Sequence, residues 1–190
     1  MQEKAVKLKE KFGLKYLVNF GSGDGYHILG LLKNNYFEKA LAFEKNSFGR
    51  DQIVYNSDLN NLDKKITVFG DANFSEIEKN LDKEQLKKSL FIVDIEGAEF
   101  EIFNNKNFNI YKNSVLIIEN HDFYKDKKLV DNFFSFMNKN FDLEILENGA
   151  RNPHYIKELK DFDDDEKWLI VSENRPQTMN WLVFTPKNDE

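Results

Sequence analysis

The sequence predicts an α/β fold with a mainly parallel sheet covered by helices on both faces, and three observations lead there. Short apolar runs rich in strand-forming residues alternate with segments of helical periodicity along most of the 190 residues. A glycine-rich turn, GSGDG at 21–25, separates the first of these runs from an apolar helical segment. Acidic residues recur just after the later runs, at the carboxyl edge where an open parallel sheet binds its ligands. For this length one domain over 1–190 is expected, with a core of useful size.

Each element can be justified in order. Ala5, Leu8 and Phe12 recur at helical spacing, and Gly13 stops that helix. YLVNF at 16–20 is the first strand, and YHILGLL after the glycine turn is a buried helix. ALAFE is the second strand, ending at Glu44; Phe48, Tyr55 and Leu59 mark a helical face in the stretch from Ser47 toward Leu62. ITVFG runs up to Asp71, and Ile77, Leu81 and Leu86 mark the next helix. LFIVDIEG at 90–97 is the strongest strand, and VLIIEN from Val115 is the fifth. Val130, Phe133, Phe134 and Met137 stand at i, i+3, i+4 and i+7 of a helix; FDLEIL and NWLVFTP are late strands, the last ended by Pro186. Residues 148–179 lack a clear pattern and are expected to be a substrate lid or insertion, with WLIV at 168–171 an extra strand or lid element and DFDDDE a solvated acidic loop.

Composition removes several function classes. A net charge of −6 without a basic stripe offers no grip on phosphate backbones or anionic lipid, so neither nucleic acid nor a membrane is expected as a partner. Zero Cys removes disulfides, thiolate metal sites and Cys nucleophiles. The charged, amphipathic start and the lack of any apolar run near about 20 residues predict a cytoplasmic chain. The abundance of Phe carries no functional weight.

Gly21, Gly23 and Gly25 allow a sharp turn, close approach of a ligand and exposed N–H groups at a helix start. A dinucleotide fingerprint needs its third glycine one place later, where Tyr26 stands, and no Gly-Lys-Ser/Thr follows to make a phosphate loop. An adenosyl ligand without phosphates needs only a G-x-G-x-G turn and a carboxylate after the second strand for the ribose diol, and Glu44 stands there. A tight strand-to-helix turn without a ligand remains the structural alternative.

VNFGSGDGYHILGLL, ALAFE and FIVDIEGAEFEIF together resemble the S-adenosylmethionine (SAM) methyltransferases of the FkbM type, a branch of the class I Rossmann-like methyltransferases. The most specific part is Asp94-Ile95-Glu96-Gly97-Ala98-Glu99, and IIENH resembles the end of the family's fifth strand. The likeness spans roughly 15–123 and implies a seven-stranded sheet whose antiparallel last strand is NWLVFTP. It implies that Gly21, Ser22, Gly23 and Gly25 surround the methionine part of SAM, that Glu44 binds ribose, and that Asp71 and Ala72 lie near adenine. Asn19, Tyr26, Lys45 and Asp94 complete the expected cofactor set. Two positions depart from the family: Asn19 replaces the usual acidic residue, removing charge assistance toward the methionine ammonium, and Val93 stands where Lys is frequent.

Methyl transfer from a sulfonium asks the protein to align the acceptor and take its proton. His121, just after the fifth strand, is the expected base, with Asp94 and Glu96 beside it. Two residues apart, Asp94 and Glu96 would point the same way from an extended strand, and repulsion would raise one pKa. Asp94, Glu119 and Asn120 are hard oxygen donors suited to Mg²⁺ or Ca²⁺, an arrangement that resembles metal-dependent O-methyltransferases of catechols and sugars. Glu99 reads as structural, favouring a helix start, and Asp24 as a helix-start residue or ligand contact. Arg151, His154, Tyr155, Arg175 and Trp181 are the residues left for a lid over the acceptor, expected to be a small molecule and, by the resemblance, a sugar or glycan precursor. The competing functions are a nucleotide-dependent enzyme such as an oxidoreductase on a similar sheet, and a degenerate methyltransferase fold acting as a binding partner.

Overall fold

A computed structural model of the chain describes residues 1–149, 152–172 and 179–187. Helix α1 (Gln2–Phe12) ends where Gly13 takes a left-handed conformation, φ 62°, and its N–H returns to the Lys9 carbonyl. The chain then alternates as expected: β1 (Tyr16–Phe20), α2 (Tyr26–Lys33), β2 (Lys39–Phe43), α3 (Ser47–Leu59), β3 (Ile66–Phe69), α4 (Phe74–Asn80), α5 (Lys83–Lys87) and β4 (Ser89–Val93). After β4 come α6 (Glu99–Ile102), α7 (Phe108–Tyr111), β5 (Val115–Glu119), α8 (Lys127–Asn140), β6 (Phe141–Glu147), α9 (Asp164–Val171) and β7 (Asn180–Pro186).

The seven strands form one sheet in the order β3-β2-β1-β4-β5-β7-β6. β1 to β5 are mutually parallel, while β7 runs antiparallel to both β5 and β6. The last strand is therefore antiparallel, as the family resemblance implies, but it is inserted inside the sheet and not at its edge. β1, β2, β4 and β5 are buried almost throughout, which is why they read as near-continuous apolar runs.

One sheet face packs Val18, Phe20, Phe43, Phe91 and Ile118 against Phe74, Phe103, Phe133 and Met137. The opposite face packs Leu17, Ala42, Ile92 and Ile117 against Leu8, Ile28, Leu32 and Ile53. Alternate residues of one strand thus serve two cores, and helices are required on both sides.

Three expectations are corrected. The helix read through Ile77, Leu81 and Leu86 is two helices, because Leu81 is extended and Asp82 with Gln85 forms a capping box that starts α5. The fourth strand stops at Val93, ahead of the acidic turn. WLIV lies in helix α9, which begins at a capping box of Asp163 and Glu166 that its apolar residues continue; the acidic run is a helix start.

Candidate functional site

The parallel register brings the strand ends to one edge. Asp94 N–H donates to the Phe20 carbonyl at 2.9 Å, and the N–H groups of Gly21 and Ser22 donate to the Phe43 carbonyl at 2.9 and 3.0 Å. The glycine turn after β1 is thereby tied to β2 on one side and β4 on the other. Gly21 has φ 73°, and a Cβ there would run into the carbonyl oxygen of Asp94. Gly25 faces Leu29 of α2 in the same way. Gly23, with φ 55°, has nothing within 4 Å of a built Cβ, so of the three it is the one that faces open space.

Glu44 follows β2 and holds this turn. Its Oε2 accepts from Gly23 N–H at 2.8 Å and its Oε1 from Asn46 N–H at 2.8 Å, while Gly49 of α3 packs against its Cγ. Each carboxylate oxygen has a second lone pair for a ligand hydroxyl. Asn19 is buried, and its amide donates to the Ile92 carbonyl at 3.0 Å; an Asp here could not make that bond to β4. Ser22 Oγ donates to the Asn19 carbonyl at 3.0 Å. Tyr26 is exposed at the start of α2, its N–H bonded to Asp24 Oδ1, so Asp24 is a helix-start residue. Lys45 and Asp71 are exposed and 3.9 Å apart at the ends of β2 and β3, and Ala72 is half-buried beside them.

Beyond Val93 the chain turns sharply: Glu96 has φ 53° and Gly97 φ 96°. The extended geometry expected for Asp94 and Glu96 is absent, because two left-handed residues in succession reverse the backbone. Both carboxylates nevertheless reach the same atom. His121 Nε2 lies 3.7 Å from Asp94 Oδ1, 3.5 Å from Glu96 Oε2 and 3.9 Å from Glu119 Oε2.

The other ring nitrogen belongs to Glu99, which is fully buried. Glu99 Oε1 is 3.1 Å from His121 Nδ1 and accepts from the His121 N–H at 3.3 Å, while its Oε2 accepts from Gly97 N–H at 2.9 Å. A carboxylate only accepts, so the hydrogen sits on Nδ1 and Nε2 is the basic nitrogen, turned toward Asp94 and Glu96. Glu99 therefore orients His121, a role the sequence reading missed by taking it as a helix-start residue.

Electrostatics follow from this crowding. Burial, then the neighbouring Glu119 carboxylate, pushes Asp94 up to about 7, against a partial lowering by His121. For His121, burial lowers the pKa, but the hydrogen bond and charge of Glu99, reinforced by Asp94 and Glu119, raise it on balance above 6.5.

Asp94, Glu119 and His121 offer donor atoms within 4.8 Å of one another, a spacing that fits a divalent cation. Asn120 stands at the same strand end; its N–H donates to the Asn180 carbonyl at 3.0 Å, its amide to Asp122 Oδ2 at 3.1 Å, and its buried Oδ1 has no hydrogen-bond partner among the described residues. The Lys125 side chain covers Gly97 and ends on Glu101 at 3.1 Å, a cover over the acidic turn with no signal in the sequence. His154 and Tyr155 are exposed on a 3₁₀ turn (Pro153–Tyr155), whereas Trp181 is buried in β7 against His27. Trp181 is therefore a core residue and not part of a lid; Arg151 and Arg175 lie outside the described residues.

No protein-family model and no curated protein matches the chain. Solved structures do. The chain aligns with the M1A22 tRNA methyltransferase TrmK of B. subtilis at TM-score 0.62 and 12% identity, covering 98% of this chain and 65% of that one. It aligns with an O-methyltransferase from Bacillus cereus in complex with SAH at TM-score 0.62 and 12% identity, covering 97% and 80%. A precorrin 8W decarboxylase from Methanobacterium thermoautotrophicum aligns at TM-score 0.57 and 14% identity, covering 97% and 90%. With the strand order above, these likenesses establish the Rossmann-like fold of class I SAM-dependent methyltransferases. Among the described residues, no helix is long and apolar enough to cross a membrane.

Proposed function

We propose that the protein is a cytoplasmic SAM-dependent O-methyltransferase of the FkbM type that acts on a small molecule, a sugar or glycan precursor, with His121 as general base. The observation that carries this reading is the continuity from glycine turn to base: Gly21 abuts the Asp94 carbonyl, and the Asp94 carboxylate lies 3.7 Å from His121 Nε2. A cofactor seated on Gly23, with its ribose on Glu44, would bring its reacting end to this junction. SAM supplies an activated methyl group on a sulfonium. Glu99 would hold the ring so that Nε2 can take the proton that the acceptor hydroxyl gives up when it receives the methyl group. The FkbM assignment rests on D-x-E-G-x-E and IIENH, and the sugar class on that assignment.

A second reading has a specific observation behind it. The Asp94, Glu119 and His121 donors, with the unpartnered Asn120 Oδ1 at the same strand end, suit Mg²⁺ or Ca²⁺ holding the acceptor oxygen. Nucleic acid is disfavoured by charge alone, since tRNA methyltransferases share this fold.

The test combines binding and turnover. SAM is expected to bind and NAD(H) not to, and His121→Ala is expected to lower S-adenosylhomocysteine formation about 10²–10⁴-fold with SAM affinity unchanged. NAD(H) binding without SAM binding would overturn the reading. Activity lost to a chelator, restored by Mg²⁺ and retained by His121→Ala would replace the base with the metal.

A further inference from the structure

The segment between β6 and β7 stands on the same edge as the candidate site. β6 runs parallel to β1 through β5, so residue 148 leaves from the carboxyl edge, and β7 runs back from it, with Asn180 bonded to Asn120 beside His121. Two 3₁₀ turns (Pro153–Tyr155 and Lys157–Leu159) and α9 border an open cavity of about 440 Å³, within the range of small-molecule sites. Its lining combines apolar Pro153, Ile156 and Leu159 with polar His154, Lys157, Lys160 and Lys167.

The charges of this segment are sorted. Between 152 and 171 every Lys lines the cavity, while none of Glu158, Asp161, Asp163, Asp164, Asp165 and Glu166 does. Asp164 pairs with His154 at 3.1 Å and Asp161 lies 3.9 Å from Lys160, but Lys157 and Lys167 make no ion pair among the described residues. Two ammonium groups on one small cavity, neither in an ion pair among the described residues, favour an anion there.

We propose that this cavity binds the phosphate of a small phosphorylated acceptor, with the carbon body of the ligand against Pro153, Ile156 and Leu159. The two lysines without an acidic partner among the described residues, Lys157 and Lys167, match the double charge of a phosphate monoester better than the single charge of a carboxylate. RNA would need basic side chains spread along a surface, and here they converge on one pocket. The proposal rests on the methyltransferase reading for the ligand's role as acceptor, but not for its binding.

Calorimetric titration of the full chain with glucose 1-phosphate, glucose, glucuronate and a short RNA tests it, with SAM titrated into the same preparations. Glucose 1-phosphate is expected to bind, glucose not to, and glucuronate to bind more weakly. Lys157→Ala/Lys167→Ala should weaken glucose 1-phosphate at least tenfold; the double Arg variant should restore binding, and Lys106→Ala on the exposed surface should change nothing. No binding of glucose 1-phosphate, equal binding by wild type and the double Ala variant, or tighter binding of glucuronate or RNA overturns the proposal. SAM bound without glucose 1-phosphate defeats this proposal alone, and glucose 1-phosphate bound without SAM defeats the methyltransferase reading alone.

Discussion

Glu99 and His121 are both buried, and each is supported by the other and by backbone N–H groups of Gly97 and His121. A buried carboxyl without such donors would carry a large desolvation cost, so this arrangement is affordable only because its lone pairs are used. The sign of the effect on His121 follows directly. Burial alone lowers the imidazole pKa, and Glu99 provides the largest opposing contribution. Glu99→Gln removes that charge, so the His121 pKa is expected to fall, and the acidic limb of the pH–rate profile should move to lower pH with it. Because the folded pKa is raised in the wild type, its stabilisation is full below about 6.5 and disappears as pH rises through the folded value. The stability gap between wild type and Glu99→Gln should therefore be wider at pH 5.5 than at pH 9. Proton NMR of the ring resonances can read the titration, since the chain has 3 His. An unmoved His121 titration in a folded Glu99→Gln variant would show that Glu99 only fills space.

The turn after β1 separates structure from function within five residues. Gly21 touches the Asp94 carbonyl, and Gly23 faces open space with the same left-handed backbone. Gly23→Ala is expected to cost about 1–3 kcal/mol of strain and to weaken SAM binding in a protein that still folds. Gly21→Ala should add roughly 1–3 kcal/mol of overpacking to that strain, because the turn and β4 cannot separate without breaking the Asp94 to Phe20 bond. Thermal unfolding and SAM titration of the two variants would distinguish them. Equal losses of stability at both positions would contradict the geometry. The helices repeat the lesson in weaker form: α4 and α5 share an apolar face yet are separate, since the Asp82 and Gln85 capping box starts a new helix.

Across the whole molecule, aromatic rings knit the face of the sheet beneath α4 to α8. Phe20 meets Phe43, Phe74 and Phe91 edge to face at centroid distances of 5.1, 5.4 and 6.1 Å, and Phe103 and Tyr111 extend the network. Such pairs contribute beyond the area they bury. Many of the 18 Phe thus have a packing role that composition did not reveal, whereas Phe12, Phe48 and Phe162 are exposed. Phe20 is fully buried at the end of β1, one residue before the glycine turn, so Phe20→Ala should cost about 3–5 kcal/mol and loosen the turn as well. Denaturant unfolding checks the first effect, and a loss of less than about 1 kcal/mol would mean the core collapses around the gap.

The sequence by itself determined the sheet class, every strand of the sheet, the glycine turn and the identity of the acidic residues at the strand ends. These are local signals: runs such as LFIV and VLII must be buried on both faces, and Gly-rich turns have few uses. Only the tertiary structure decided that β7 inserts between β5 and β6, that Asp94 and Glu96 meet at His121 through left-handed residues and not along a strand, and that Glu99 belongs to His121, 22 residues away. Trp181 in the core and WLIV as helix were decided there too. Propensity and periodicity describe neighbours along the chain, whereas these pairings come from strand order and backbone reversal, which no short window of sequence contains.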